Sequence, residues 1–293
     1  MTSPRWIDVH APAVELKALT WGPPDGPIAL CLHGFPDTAH TWEYLLPVLA
    51  RAGFRAVAPF MRGYAPTAVP ADGAYGIGAL AADTLALYEA LGGDREAVLI
   101  GHDWGAEAAY AAAARAPGRW WRVVTLGVPP AGLDPLLFSD YDQLRRFFYL
   151  FMFRDPAGLG EAAAAAGGMA FLDRLWADWS PGYHPGQHLA RVKQSLRQPA
   201  NLAAAIGYYR AADPPSMPRA PQGTTRQAAG PAPPPTLYLH GANDGCIAAE
   251  LARSAAPLLP PQSRMIVIDG VGHFLHREKP REVNDHILAW VTR

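Results

Sequence analysis

The sequence of 293 residues is poor in charge and in long apolar runs, and each shortage excludes a class of protein. Charged residues make up 17% of the chain, with 25 Lys and Arg against 26 Asp and Glu. The formal net charge of -1 supplies no basic excess to neutralise phosphates, which argues against a nucleic-acid partner. No run of about 20 apolar residues occurs, so we expect no membrane span.

The sequence also has few cysteines. Cys31 and Cys246 are too few for a disulfide framework, and neither lies in a C-x-x-C pair. Asp8 and Glu15 interrupt the N-terminal segment, which has no apolar run long enough for a signal peptide. We therefore expect a cytoplasmic protein that holds no metal and no cofactor. Hydrophobic residues make up 50% of the chain, enough for a buried core rather than a disordered chain.

Short apolar runs alternate with helical patterns along most of the chain. Residues 42–52, 77–91 and 106–116 have helical patterns. Continuous apolar runs suit parallel strands that are covered on both faces, and their alternation with helices predicts an α/β protein. The runs predict strands at residues 28–32, 55–58, 97–100, 123–126, 236–239 and 265–268.

A helical segment interrupts this alternation. Residues 133–210 are rich in aromatics and show no strand pattern, and residues 213–235 are too rich in proline for a helix or a central strand. His184 and His188 have no third metal ligand nearby and are expected at the surface of this segment. The last helix is predicted to begin at Pro280. The predicted domains are a core in two parts, 1–132 and 223–293, and a helical cap, 133–222. The oligomeric state is left open.

The segment Gly101-His102-Asp103-Trp104-Gly105 stands between a predicted strand and an Ala-rich predicted helix. A side chain raised above such a turn needs small residues two positions away on either side, because larger ones would collide. The pattern is that of a nucleophile elbow, G-x-S-x-G, with a carboxylate in place of the hydroxyl. The alternative is that Asp103 only caps the following helix.

An aspartate at this position changes the chemistry that an elbow supports. A carboxyl with the ordinary aspartate pKa of about 3.9 is already an anion at neutral pH, and it attacks a saturated carbon without a base. The product is an alkyl ester on the enzyme. Water must then attack the carboxyl carbon of Asp103, which requires a base and N–H donors for the oxyanion. The backbone N–H groups of Phe35, in His33-Gly34-Phe35-Pro36, and of Trp104 are the predicted donors.

A set of motifs extends over nearly the whole chain from about Gly26. The motifs are, in order, His33-Gly34-Phe35-Pro36-Asp37, Trp42, Arg62-Gly63-Tyr64, Gly101-His102-Asp103-Trp104-Gly105, His240-Gly241 to Asp244, and Gly272-His273-Phe274. Together they are similar to those of the epoxide hydrolases with the α/β-hydrolase fold. The resemblance implies a mostly parallel eight-stranded sheet with a helical cap after the sixth strand. It also implies that a small lipophilic epoxide and water react to a vicinal diol without a cofactor.

A base and its acidic partner follow the last two predicted strands. His273 stands in a loop with glycines around it, which suits an imidazole brought beside Asp103. The order of aspartate and then histidine along the chain makes His273 the predicted base. Asp244 and Asp269 are both candidates for the carboxylate that orients the imidazole. The resemblance favours Asp244, because the family places its acid at that position.

Opening an epoxide leaves an alkoxide, which needs a proton. A phenol with an ordinary pKa of about 10 can donate that proton at pH 7. The resemblance places the family's paired tyrosines of the cap at Tyr149 and Tyr209, and Tyr208 is the neighbour with which Tyr209 could be confused. An apolar cavity under the cap is predicted to bind the substrate. Its predicted lining is Phe35, Trp104, Phe148, Phe151, Trp176 and Trp179.

Three other functions remain as alternatives. A haloalkane dehalogenase would share Asp103 and His273 but would bind the leaving halide with two N–H donors. Trp104 and either Trp176 or Trp179 could supply them. An esterase would need Asp103 to attack an acyl carbon, which gives a mixed anhydride. A ligand-binding protein would have lost turnover, although nucleophile, base and proton donors are all present.

Overall fold

The computed structural model describes residues 4–212 and 233–292 of the chain. They contain eight strands, in the spatial order β1-β2-β4-β3-β5-β6-β7-β8. Only β1–β2 and β2–β4 pair antiparallel. The strands are β1 (Arg5–His10), β2 (Glu15–Trp21), β3 (Ile28–Leu32), β4 (Arg55–Pro59), β5 (Val98–His102), β6 (Arg122–Leu126), β7 (Thr236–Gly241) and β8 (Arg264–Ile268). The predicted α/β fold with a mostly parallel sheet is confirmed.

All six strands predicted from apolar runs are present. Strands β3 and β5 are buried at every position, because helices cover both faces of the sheet there. Leu30 and Leu99 pack into one core, whereas Ala29 and Ile100 pack into the core on the opposite face. Strands β1 and β2 match none of these runs and were implied only by the eight-stranded sheet of the family resemblance. Strand β1 forms the antiparallel edge and is mostly exposed, so it lacks a continuous apolar run.

Helices connect the strands and form a separate segment. The predicted helix at 42–52 is a 3-10 helix, Ala39–Tyr44, followed by an α-helix with proline in its first turn. The α-helices are α1 (Leu46–Arg51), α2 (Ile77–Ala90), α3 (Trp104–Arg115), α4 (Asp134–Leu137), α5 (Tyr141–Arg146), α6 (Phe148–Phe153), α7 (Leu159–Trp179), α8 (Gln187–Ser195), α9 (Pro199–Ala211), α10 (Ala249–Arg253), α11 (Leu275–Glu278) and α12 (Pro280–Val291).

Helices α4 to α9 lie between β6 and β7 in the chain and form the helical segment that the sequence predicts there. Helix α7 is interrupted by non-helical backbone from Ala166 to Met169. The predicted domain boundary at 222/223 and most of the proline-rich stretch fall on residues 213–232, outside the described residues. None of the described helices is long and apolar enough to cross a membrane.

The carboxyl ends of the central parallel strands meet at one edge of the sheet. Asp103 follows β5, Asp244 follows β7, and His273 lies in the loop after β8. In open α/β sheets this edge is where ligands bind. The fold therefore brings three residues that are far apart in sequence to the same end of the molecule.

Candidate active site

Asp103 occupies a strained turn between β5 and α3. Its backbone has φ of 52° and ψ of -120°, which a residue with a Cβ rarely adopts. A Cβ at Gly101 would overlap the carbonyl oxygen of Gly105, and a Cβ at Gly105 would overlap that of Leu32. The Asp103 side chain makes no capping hydrogen bond to α3 within the described residues, which removes the helix-cap alternative. The elbow geometry raises the carboxylate above the sheet edge.

The loop after β3 brings one of the two predicted N–H donors to this carboxylate. The backbone N–H of Phe35 donates to Asp103 Oδ1 at 2.6 Å. A side chain at Gly34 would overlap the Asp103 carboxylate, so only glycine fits there. His33 holds the loop: its Nε2 accepts from the Met61 N–H at 3.0 Å, so Nδ1 carries the proton and donates to Gly34 O at 2.9 Å. Burial lowers the pKa of His33 to about 4, consistent with this neutral tautomer.

A chain of contacts joins Asp244, His273 and Asp103. His273 Nδ1 lies 2.9 Å from Asp244 Oδ2, and His273 Nε2 lies 3.6 Å from Asp103 Oδ2. The other oxygen of Asp244 accepts the backbone N–H groups of Cys246 and Ile247 at 2.7 and 2.9 Å. The rival carboxylate, Asp269, is exposed at the end of β8. The geometry thus places Asp244, and not Asp269, against the imidazole.

Burial and charge set the protonation of this chain of contacts. Burial alone lowers the pKa of His273, but the carboxylates of Asp244 and Asp103 outweigh it and raise the pKa to about 10. Burial also raises the pKa of Asp244, yet the facing imidazoles of His273 and His240 bring it below its ordinary value. The two carboxylates thus favour the protonated form of the His273 imidazole.

Two tyrosine side chains face Asp103 from the helical segment. Tyr149 on α6 and Tyr209 on α9 are buried, with ring centroids 5.7 Å apart. Burial raises the pKa of both phenols well above its ordinary value, so both stay protonated. The Tyr209 hydroxyl lies beside the Trp104 side chain, which acts to lower its pKa against the effect of burial, whereas the Tyr149 hydroxyl lies 3.3 Å from Cys246 Sγ. The neighbouring Tyr208 turns away and donates to Arg62 O at 2.8 Å.

These groups line a cavity of about 370 Å³. Asp103 and Trp104 lie at its sheet side, and Tyr149 and Tyr209 at its helical side. The rest of the wall is mainly apolar and includes Val128, Leu133, Leu137, Phe147 and Leu150. Sequence reasoning missed Cys246, which also lines the cavity; its position two residues after Asp244, in the same loop, was the available signal.

The structure contradicts two predicted substrate contacts. Phe148 is 48% exposed and Phe151 is 52% exposed. Helix α6 turns Tyr149 and Phe153, four residues apart, towards the interior, which sends Phe148 and Phe151 to the outer face. Neither side chain lines the cavity that contains Asp103.

Of the other four predicted aromatic contacts, Phe35, Trp176 and Trp179 are buried and Trp104 is half-buried, and they have different neighbours. Trp176 donates its indole N–H to Pro36 O at 3.0 Å and stacks on Phe274 with ring centroids 3.5 Å apart. The Trp179 ring lies 5.0 Å from the ring of Tyr149 and 5.1 Å from that of His273. The Phe35 ring packs edge-on against Tyr209. Of the six predicted lining residues, Trp104 lines the cavity.

One of the two histidines expected at the surface is buried. His184 is exposed, but His188 at the start of α8 is 3% exposed. His188 Nε2 donates to Asp37 Oδ1 at 2.7 Å, and the paired charge lowers the pKa of Asp37 although burial acts against it. The surface prediction for His188 is wrong, because this side chain joins the helical segment to the loop after β3.

Two buried groups of described residues have metal-ligand types within reach of one another. One comprises Asp244, Cys246 and His273, and the other comprises Asp37, His102 and His276. In the first, the imidazole of His273 bonds directly to the Asp244 carboxylate. In the second, His102 Nε2 donates to His273 O at 3.0 Å, whereas His102 Nδ1, His276 Nδ1 and Asp37 Oδ2 have no hydrogen-bond partner among the described residues.

The chain belongs to the α/β-hydrolase family: the family described as the alpha/beta hydrolase fold matches residues 27–280. Within it, the predicted resemblance to epoxide hydrolases is confirmed. The chain is 28% identical to epoxide hydrolase A of Mycobacterium tuberculosis, over 98% of this chain and 97% of that protein. It is also 28% identical to an epoxide hydrolase of Caballeronia sordidicola, over 91% of this chain and 88% of that protein.

Solved structures give the same result. An epoxide hydrolase from metagenomes of hot environments superposes with a TM-score of 0.81 at 27% identity, covering 99% of both chains. Epoxide hydrolase A from Mycobacterium thermoresistibile superposes with a TM-score of 0.79 at 25% identity, covering 98% of both chains.

Proposed function

We propose that this chain is an epoxide hydrolase that converts a small lipophilic epoxide and water to a vicinal diol through an ester on Asp103. The observation that carries the proposal is the joint position of the Asp103 carboxylate and two protonated phenols in one largely apolar cavity. The relatives named epoxide hydrolases support it. The same site would act without a metal or an organic cofactor.

In the first step, Asp103 Oδ2 attacks one carbon of the epoxide. A carbon–oxygen bond forms to the carboxylate as the ring carbon–oxygen bond breaks, and the departing oxygen takes a proton from Tyr209 or Tyr149. Asp103 Oδ1 stays on the N–H of Phe35, which leaves Oδ2 as the attacking atom. The buried phenols supply protons that bulk water cannot deliver as directly.

In the second step, water attacks the carboxyl carbon of the ester. His273 takes a proton from that water, and the negative charge develops on Oδ1, where the N–H of Phe35 already donates. Asp244 holds the imidazole by its Nδ1 and stabilises the cation that forms. The bond between the carboxyl carbon and the diol oxygen then breaks, and that oxygen takes the remaining proton of the attacking water. The diol leaves, Asp103 is again a carboxylate, and His273 keeps the first proton and is again a cation.

The charges of the two steps balance within the site. At rest Asp103 is an anion and His273 a cation, because both carboxylates raise the pKa of His273. Formation of the ester removes the charge of Asp103 and so lowers that pKa. The proton that His273 releases restores the phenol that protonated the substrate. His273 is then neutral and ready to act as the base for water.

We further propose that residues 133–222 act as a cap domain over the core. In its described part, α6 and α9 supply the two tyrosines, while the sheet supplies Asp103 and the loops after β7 and β8 supply Asp244 and His273. The substrate would therefore be held between the helical segment and the sheet edge. Each side contributes groups to the first step.

The dehalogenase alternative is less well supported by the site. A leaving halide needs N–H donors, and the indole N–H of Trp176, one of its two candidates for a second donor, is already bonded to Pro36 O. A halide also needs no acid, whereas two protonated tyrosines face the cavity. A ligand-binding protein would not require His273 and Asp244 to be aligned on Asp103.

A side-by-side assay tests the proposal. Purified protein is incubated separately with an aryl epoxide, a chloroalkane and a p-nitrophenyl ester. We expect a diol from the epoxide and little halide or nitrophenol from the other two. Faster halide release would support the dehalogenase alternative instead, and tight binding with no turnover would support the ligand-binding protein.

The adjacent tyrosines of α9 form a matched pair for a second test. Replacing Tyr209 by phenylalanine removes a phenol that lines the cavity with Asp103, so we expect kcat for diol formation to fall about 100-fold. Replacing Tyr208 by phenylalanine removes only its hydrogen bond to Arg62 O. That change should cost about 1–3 kcal/mol of stability and leave the rate of ring opening largely intact. Equal loss of activity in the two variants would contradict the assignment.

A further inference from the structure

The end of helix α7, residues 176–180, contacts the loops that carry the proposed catalytic groups. Trp176 donates its indole N–H to Pro36 O at 3.0 Å. Pro36 lies in the loop of residues 33–37 after β3, which presents the N–H of Phe35 and is called the oxyanion loop below. The carbonyl oxygen of Trp179 accepts the backbone N–H of Gly245 at 3.0 Å and that of His273 at 2.9 Å. One short stretch of chain thus bonds the oxyanion loop, the loop of Asp244 and the loop of His273.

Glycines mark how closely the α7 end approaches two of these loops. A Cβ at Gly245, the residue after Asp244, would overlap the carbonyl oxygen of Asp178. A Cβ at Gly272, the residue before His273, would lie 2.5 Å from Ser180 Cα and from Trp179 O. Both loops therefore accept no side chain at the point of contact. The packing leaves little room for either loop to shift independently of α7.

The oxyanion loop is held by the helical segment at two successive residues. Pro36 and Asp37 directly follow Phe35, and both accept hydrogen bonds from buried side chains: Pro36 O from Trp176, and Asp37 Oδ1 from His188 at 2.7 Å. The loop also closes on itself, because the Asp37 N–H donates to Gly34 O at 3.1 Å. The direction of the Phe35 N–H is thus fixed from outside the core as well as from within it.

We propose that Trp176 and His188 are positioning residues that hold the Phe35 N–H on Asp103 Oδ1 for hydrolysis of the ester. The inference rests on the proposed function. Neither side chain touches the reacting atoms; each acts through the loop. The oxyanion forms on Oδ1 in the second step, whereas Oδ2 attacks in the first, so loosening this donor slows hydrolysis much more than alkylation.

The test compares two replacements that delete the same kind of bond. Trp176→Phe removes an indole-to-carbonyl hydrogen bond at the oxyanion loop, and Trp290→Phe removes one of 3.1 Å to Val123 O on the other side of the sheet. Both are buried and lose similar volume. Rapid mixing with excess aryl epoxide, quenching and intact-mass measurement give the alkylation and hydrolysis rates separately, and thermal melting gives the stability of each variant.

For Trp176→Phe we expect ester hydrolysis to slow about 10- to 100-fold, with alkylation changed less than about threefold, so that ester accumulates. Trp290→Phe should keep the wild-type ratio of the two rates. The positioning role is overturned if both variants keep that ratio, or if both steps slow in parallel in Trp176→Phe. Absence of any ester, in the wild type and in His273→Gln alike, would instead reject the proposed function.

A second pair of variants separates positioning from packing at His188. His188→Gln retains an N–H donor that can reach Asp37, and His188→Ala does not. We expect His188→Ala to accumulate ester as Trp176→Phe does and His188→Gln to restore most of the hydrolysis rate. The exposed His184→Ala is the control and should behave as the wild type. Equal behaviour of His188→Ala and His184→Ala would contradict the role of His188.

Discussion

Replacement of Asp103 by alanine should lower the rate of diol formation about 10⁴-fold or more, because the carboxylate on the elbow is the attacking group. Glu107, the other carboxylate that lines the cavity, lies in α3 beyond the elbow. The Asp103 carboxylate is held by the elbow backbone and by the Phe35 N–H, and it faces Tyr149 and Tyr209 across the cavity. Alanine keeps the backbone and removes only the attacking group. The measurement is steady-state diol formation from an aryl epoxide, with intact mass to confirm that no adduct forms.

The control for this variant is Asp269→Ala. Asp269 is the other acidic candidate beside the His273 loop, but it is exposed and the geometry gives it no contact with the imidazole. We expect the Asp269 variant to retain activity close to that of the wild type. Substantial diol formation by folded Asp103→Ala would show that Asp103 is not the nucleophile. Loss of activity in Asp269→Ala would favour Asp269 over Asp244 as the carboxylate that orients His273.

Replacement of His273 by glutamine should trap the ester. Without a base for water the second step slows about 10⁴-fold, while attack by the Asp103 carboxylate needs no base and proceeds. We therefore expect a mass increase equal to that of the epoxide, approaching one adduct per chain, and negligible diol. His184→Gln, with an exposed histidine in the helical segment, should form diol without accumulating ester.

The wild type and His273→Gln should also differ in how the rate of ester hydrolysis depends on pH. In the wild type, ester formation removes one of the charges that raise the pKa of His273, so hydrolysis of the ester should rise with pH as His273 loses its proton and then level off. In His273→Gln this dependence should disappear. Single-turnover hydrolysis of preformed ester between pH 5 and 9 measures it. If His273→Gln kept the wild-type rise of the hydrolysis rate with pH, the base would have to be a group other than His273.

Much of the site can be predicted from sequence because its core groups stand at strand ends. Asp103 follows the buried strand β5 and His273 follows β8, and both strands appear in the sequence as continuous apolar runs. Glycines at 101 and 105 carry the elbow signal because backbone passes close to both. The choice between Asp244 and Asp269 needed the family resemblance, since both aspartates follow strands and only distance in space separates them.

The helical segment is harder to predict, because function there depends on which way a helix faces. Tyr208 and Tyr209 are adjacent, yet one bonds to Arg62 O and the other faces Asp103. In α6 the same uncertainty led to the wrong prediction for Phe148 and Phe151. Aromatic residues occur all around these helices, so periodicity does not mark the inner face.

Contacts between distant segments leave no local pattern at all. Trp176 bonds to a residue 140 positions earlier, and His188 to one 151 positions earlier. From sequence alone, a tryptophan in an aromatic-rich helix is interpreted as part of a cavity wall, and a histidine close to a glycine is interpreted as a surface residue. Only the packing of α7 and α8 on the loop after β3 shows that both side chains hold that loop.

Single turnover in water enriched in heavy oxygen tests the attacking role of Asp103 most directly. With enzyme in excess over epoxide, the first diol should carry only light oxygen, and the peptide that contains Asp103 should gain one heavy oxygen atom. Heavy oxygen found in that first diol, with none in Asp103, would mean that water attacks the epoxide directly and would contradict the proposed mechanism.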